Sequence, residues 1–296
     1  MAFASVNGTQ LYYIKVGHGL PCLVMHGGLG FDHTYLRPYL DSLGDTLTLL
    51  YYDHRGNGRS GRPPRETMTH EQFTADADAL AEHLGFDRLV LIGHSYGGFI
   101  ALEMAVRYPG RLSHLVLVDT AAVPMFRYAD KVMQAARGQG ASEEMLAVLQ
   151  GPEPTDDAEY RRQTDAVWPL YWERFGSEAS RHMMDKCMIS VGGMAREGEL
   201  QSYDMRARLA QIETPTLVMV GRHDIVTPVS EAQRLCGGLR HSELVIFEES
   251  GHFPFAEEGE QFCSSVRAWI GRGQGQESRG AAIASTDRRM NQQSAS

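Results

Sequence analysis

"LVLIGHSYGGFIALEMAVRYPG", residues 89–110, decides the fold. Aliphatic and β-branched residues run to Ile92, the chain turns through Gly93-His94-Ser95-Tyr96-Gly97, and a helical pattern begins at once. A strand that passes into a helix with almost no loop needs one strained residue, flanked at −2 and +2 by small ones. Gly93 and Gly97 meet that need, and Gly98 extends it. The pattern is G-x-S-x-G between a strand and a helix, which lifts a serine hydroxyl above the carboxyl edge of a sheet. The helix start there offers unpaired N–H groups and the positive end of its dipole. Ser95 is therefore the candidate nucleophile.

Outward from this corner, short aliphatic runs alternate with helical patterns. "PCLVMHGG", "TLTLLYYDHRG", "RLVLIGHS" and "LSHLVLVDTA" fall between about 20 and 122. Near-continuous apolar strands joined by helices predict a mostly parallel, doubly wound α/β sheet covered on both faces. "THEQFTADADALAEHLG" predicts one of the helices, with Phe73, Ala77, Leu80, Ala81 and Leu84 on one side and Gly85 closing its end. The N-terminal stretch predicts two strands joined by a turn at Asn7-Gly8. From 123 to 207 no aliphatic strand appears, and helical stretches rich in Met and Trp take over. The α/β pattern returns from 208 with "TPTLVMVGRHD", "VSEAQRLCGGL", "SELVIFEESGH" and "GEQFCSSVRAWI". The predicted organisation is a core over 1–122 and 208–272, a helical insertion over 123–207, and a disordered polar tail over 273–296.

Composition narrows the functional class. The chain has 296 residues, enough to bury a large core, and a net charge of −9, which disfavours a partner held through phosphates. No run of about 18 apolar residues offers a membrane span. The N-terminus has neither a basic start nor an apolar leader core, so a cytoplasmic location is expected. The four cysteines, Cys22, Cys187, Cys236 and Cys263, are far apart and favour reduced thiols over a disulfide frame or zinc site. No metal and no cofactor are expected.

Three motifs carry a resemblance: "MHGGLGFDHTY" at 25–35, "YYDHRGNGRSGRP" at 51–63 and "IGHSYGG" at 92–98. Over about residues 5 to 272 the chain resembles the α/β-hydrolase superfamily, and within it the proline iminopeptidase-like branch of esterases, lactonases and aminopeptidases. That branch reads HGGPG, YDxxGxGxS and GxSxGG; here Leu29 stands in place of the proline. The resemblance implies a Ser-His-Asp triad in chain order Ser, acid, His, and a helical cap after the sixth core strand.

A serine hydroxyl needs a base to take its proton at neutral pH, and histidine suits that role. Among 12 histidines, His252 stands in "IFEESGHFPFAEE", a loop directly after an apolar strand. The resemblance puts the base in such a loop. His94 lies inside the corner with its ring turned aside. For the acid, Asp224 follows the apolar run in "LVMVGRHDIVTP" and resembles the superfamily's G-x-x-D-x-x-x-P loop. Asp119, after "HLVLV", is the rival, and Asp53 reads as a brace for its glycine-rich turn.

Attack on a carbonyl creates an oxyanion that needs preorganised donors. Tyr96 N–H, at the helix start, is one candidate. By resemblance the other is Gly28, with Leu29 second. The predicted cap offers pocket candidates in Trp168, Tyr171, Trp172 and Phe175, at helical spacing, with Met125, Phe126, Met183, Met184 and Met188. The stripe reads equally as the core of the cap.

The expected activity is hydrolysis of carboxylic esters or lactones through an acyl-enzyme, with a small ester, lactone or amide as substrate and neither nucleic acid nor membrane as partner. The alternative is a proline iminopeptidase-type aminopeptidase. Against it, the branch's ammonium-binding Glu after the acid is replaced by Ile225, and the nearby Glu197, Glu199 and Asp204 match poorly. A cofactor-free haloperoxidase, a C–C hydrolase or a ligand sensor on the same fold are further alternatives, since a triad alone specifies only acyl transfer.

Overall fold

The computed structural model describes residues 2–28, 30–173, 175 and 177–272, without the side chain of Met184. The expectation for the tail, 273–296, and the Met184 candidate therefore lie outside the described residues.

Among the described residues eight strands, starting in chain order at Ala2 (β1), Thr9 (β2), Leu20 (β3), Leu47 (β4), Leu89 (β5), Leu112 (β6), Thr216 (β7) and Ser242 (β8), form one sheet in the order β1-β2-β4-β3-β5-β6-β7-β8. β1 (Ala2–Val6) and β2 (Thr9–Val16) make the antiparallel hairpin read from Asn7-Gly8. Both turn residues have positive φ, 44° and 74°, the combination that matches the twist of a two-residue hairpin. β2 joins β4 (Leu47–Tyr52) antiparallel. All other pairings, among β3 (Leu20–Met25), β4, β5 (Leu89–His94), β6 (Leu112–Val118), β7 (Thr216–Gly221) and β8 (Ser242–Phe247), are parallel.

The apolar runs are continuous because both faces are buried. In β5, Leu89 and Leu91 enter one core while Val90 and Ile92 enter the other. In β6, Leu115 and Leu117 oppose Val116 and Val118 in the same alternation. Each such side chain contributes about 1.5–3 kcal/mol by leaving water, which is what recruits helices to both sides. α1 (His70–His83) is capped by Thr69, whose hydroxyl accepts from Gln72 N–H, and buries Phe73, Ala77, Leu80 and Ala81. α2 (Tyr96–Arg107) follows β5 with only Ser95 between them.

Between β6 and β7 lie α3 (Ala129–Gly138), α4 (Glu143–Gln150), α5 (Asp157–Val167), α6 (Glu178–Lys186) and α7 (Glu199–Ser202), with no strand among the described residues there. The long helix suggested by the spacing of Trp168, Tyr171, Trp172 and Phe175 does not form. α5 stops at Val167, residues Trp168–Tyr171 form a tight turn, and Trp172 is extended. Pro169 is the reason, since it lacks the N–H an α-helix interior requires. α8 (Val229–Gly238) returns the chain to β8, and α9 (Pro254–Glu257) precedes a helical stretch over 259–272.

The β5–α2 corner is tightly packed. A Cβ on Gly97 would lie 2.3 Å from the Met25 carbonyl oxygen, a backbone atom that cannot swing aside. Gly97→Ala is expected to destabilise the protein by about 2 kcal/mol or more, read as a lower urea midpoint at unchanged slope. An unchanged midpoint would mean that strand and helix can separate without cost.

Candidate active site

His26, Asp53, Ser95 and Asp119 directly follow β3, β4, β5 and β6, and the loops after β7 and β8 carry Asp224 and His252. All six therefore lie at the carboxyl edge of the sheet, where open α/β folds bind ligands.

Ser95 sits at φ 54° and ψ −121°, a conformation that costs a non-glycine residue about 1–3 kcal/mol. Three hydrogen bonds hold it. Ser95 N–H donates to Val118 (2.9 Å), and its carbonyl accepts from Thr120 Oγ1 (2.7 Å) and Gly98 N–H (2.9 Å). Thr120 was not anticipated from sequence, although its hydroxyl helps fix the corner.

His252 is held from three sides. Its N–H donates to the Tyr171 carbonyl at 2.7 Å. Its own carbonyl accepts from His94 Nε2 at 2.9 Å. Its Nδ1 lies 2.8 Å from Asp224 Oδ2. These partners also set the tautomer of His94. With Nε2 carrying the proton, Nδ1 accepts from Tyr35 Oη (2.6 Å), which in turn accepts from Gly27 N–H. Burial, with His252 alongside, lowers His94 well below the ordinary histidine range, so its ring stays neutral.

Asp224 is buried, which by itself would raise its pKa. The His252 ring and hydrogen bonds from Thr227 outweigh that and hold it at about 2. Its Oδ1 accepts from Val226 N–H (2.7 Å) and Thr227 N–H (3.1 Å), and its Oδ2 from Thr227 Oγ1 (2.7 Å). An ionised carboxylate facing Nδ1 places the imidazole proton there and leaves Nε2 as the basic atom. Asp119, the other candidate acid, accepts from Gly221 N–H through Oδ1 at 2.9 Å, while the His252 ring bonds Asp224.

Ser95 and His252 share a cavity of about 290 Å³. Its walls come from both sides of the chain: Gly28, Phe31 and Phe253 from loops of the sheet, and Met125, Tyr160, Trp168 and Tyr171 from the segment between β6 and β7. Gln163 and Thr164 add polarity to the lining, and among the described residues that line it there is no Asp, Glu, Lys or Arg. The pocket candidate Trp172 does not line it. Trp172 is 3% exposed and packs on Phe253, with ring centres 4.8 Å apart, because the turn at Pro169 directs it into the core. Phe126, Phe175 and Met188 are exposed, and Met183 is buried in the core. Phe31, Tyr160 and Phe253 were missed in the sequence. Phe31 and Phe253 stand beside motif residues, which is the one signal that could have found them.

Gly28 lines the cavity, and the N–H groups of Gly27 and Gly30 on either side are taken by Tyr35 Oη and Asn57 Oδ1. Tyr96 N–H is the first of α2 and has no carbonyl within the helix to bond. Leu29, the second choice for this role, lies outside the described residues.

Among the described residues two buried groups bring three possible ligating side chains together: Asp32, His33 and Asp53, and Asp119, Asp224 and His252. In the first, Asp53 accepts from His33 N–H, His33 Nδ1 and Arg59 N–H, while Asp32 accepts from Thr34, Met188 N–H and Arg59. That network braces the loop of residues 26–35 against the turn of residues 53–59. The second is the arrangement described above.

A sequence profile described as alpha/beta hydrolase fold matches residues 21–259. A proline iminopeptidase from Pestalotiopsis fici is 28% identical over 283 residues, 90% of this chain and 98% of that protein. Among solved structures, a thermophilic esterase from Thermogutta terrifontis is 26% identical with a TM-score of 0.67, covering 92% of this chain and 97% of that one. The enol-lactonase from Burkholderia xenovorans LB400 is 25% identical with a TM-score of 0.67, covering 91% and 99%.

Proposed function

Because the chain belongs to the alpha/beta hydrolase fold family, we propose that it is a serine hydrolase cleaving small uncharged carboxylic esters or lactones. His252 Nε2 takes the Ser95 proton as Oγ attacks the carbonyl. The oxyanion is received by the N–H groups of Gly28 and Tyr96, each contributing about 10²–10³ in rate where such donors have been removed. The imidazolium, steadied by Asp224, then protonates the leaving alkoxide. Water repeats the sequence on the acyl-enzyme. The helical segment 123–207 serves as the cap, closing the apolar side of the cavity over the core.

The observation that carries the substrate class is the uncharged lining. An aminopeptidase substrate brings an α-ammonium, which costs several kcal/mol to bury without a carboxylate. Of the acidic residues considered in the sequence, Glu199 and Asp204 are bound by other partners. Glu199 accepts from His70 N–H and Nδ1, at 2.8 and 3.0 Å, and pairs with Arg196. Asp204 is bound by Arg206, and Glu197 is exposed. Ile225 is buried in an apolar cluster. The iminopeptidase relative makes the amine-bearing substrate the rival reading.

Matched p-nitrophenyl ester and p-nitroanilide pairs, with and without a free α-amine, test this. The simple ester is expected to exceed the prolyl anilide in kcat/KM by at least about a hundredfold. Faster hydrolysis of the members with a free amine would favour the aminopeptidase.

A further inference from the structure

Asp119 is fully buried at φ 44°, in the backbone region that non-glycine residues avoid. Its Oδ1 accepts from Gly221 N–H, and its Oδ2, equally buried, meets no hydrogen-bond donor. One carboxyl oxygen each of Asp119 and Asp224 and one ring nitrogen of His252 lie within 4.8 Å of one another. Asp224 already accepts four hydrogen bonds and is the anion that steadies the His252 ring. Two buried carboxyl groups this close repel strongly when both are charged, which favours a proton on one of them.

We propose that Asp119 is a neutral carboxylic acid whose O–H donates to Asp224, making it a positioning residue that holds the acid against the base. Donation satisfies the orphan Oδ2 and supplies Asp224 with a fifth donor from the sheet side. The titratable groups facing Asp119 are Asp224 on the β7 loop, His252 on the β8 loop, Glu257 on α9 and Tyr35 on the β3 loop. Burial, then the neighbouring Asp224 charge, raises Asp119 well above the ordinary carboxyl range. The catalytic consequence rests on the hydrolytic reading above; the protonation state does not.

Asn at position 119 keeps both bonds, its oxygen accepting from Gly221 and its amide donating to Asp224, but it cannot titrate. An acid whose proton is held more tightly in the folded state loses stability as pH rises above the unfolded value. Thermal unfolding of the full chain should therefore show Asp119→Asn melting above wild type at about pH 7, by a gap that closes towards about pH 4. A gap that does not depend on pH would mean an ionised Asp119 and overturn the proposal. In turnover, Asp119→Asn should keep kcat within about threefold, while Asp119→Ala should lose about tenfold or more in kcat at little change in KM. Equal losses in the two variants would overturn the donor role. If Asp119→Ala does not fold, the melting series of Asp119→Asn still decides. Activity retained in Ser95→Ala would sink the hydrolytic reading while leaving the melting result intact, so the two failures are distinguishable.

Discussion

Ser95→Ala is expected to lower kcat/KM for a small ester by about 10³-fold or more and to abolish labelling by a fluorophosphonate. The residual rate would come from the oxyanion donors and from binding. Stability should change little. The strained backbone at φ 54° is held by Val118, Thr120 and Gly98 through main-chain atoms of residue 95, and these bonds do not involve its hydroxyl. A melting curve beside the kinetics separates lost chemistry from lost fold. A variant that keeps most of its activity would mean that the corner presents some other group.

Asp224→Asn is expected to cost roughly 10⁴ in kcat. The amide would turn its NH₂ towards His252 Nδ1 and favour the tautomer with the proton on Nε2, which cannot accept from Ser95. The same substitution weakens the bonds from Val226, Thr227 and Thr227 Oγ1, so some loss of stability should accompany it. The companion substitution Asp119→Asn should cost far less. The reverse ranking would move the acid to Asp119 and require the loop at 221–228 to be reinterpreted.

The sheet was legible because its physics is local. Alternating burial in β5 and β6 demands unbroken aliphatic runs, and Asn7-Gly8 can hardly be anything but a tight turn. Ser95 was legible because its strain forces small neighbours into the sequence at Gly93 and Gly97. The sequence favoured Asp224 over Asp119 by its loop motif, although both follow apolar strands. The direction of the His252 ring, which turns to Asp224, was not legible, because it is set by residues as distant as Tyr35 and Tyr171. The cavity was least legible. Trp168 and Trp172 belong to the same aromatic stripe and the same buried cluster, yet after the turn at Pro169 only Trp168 also lines the cavity. Phe31 and Tyr160 meet across the cavity from opposite sides of the chain, with ring centres 6.1 Å apart, and no spacing rule links them.

The hydrogen bond from His252 N–H to the Tyr171 carbonyl ties the segment that shapes the cavity to the loop that carries His252. Gly251 beside it approaches so closely that a Cβ there would lie 2.5 Å from the same carbonyl oxygen. On the mechanism proposed above, selectivity and turnover are mechanically coupled. Grafting a foreign stretch around Tyr171 to admit a different substrate would also re-seat the imidazole. Successful recruitment of a new substrate should then require a second, compensating change in the loop of residues 248–253. Laboratory evolution of this chain would reveal that dependence as paired substitutions across the two segments.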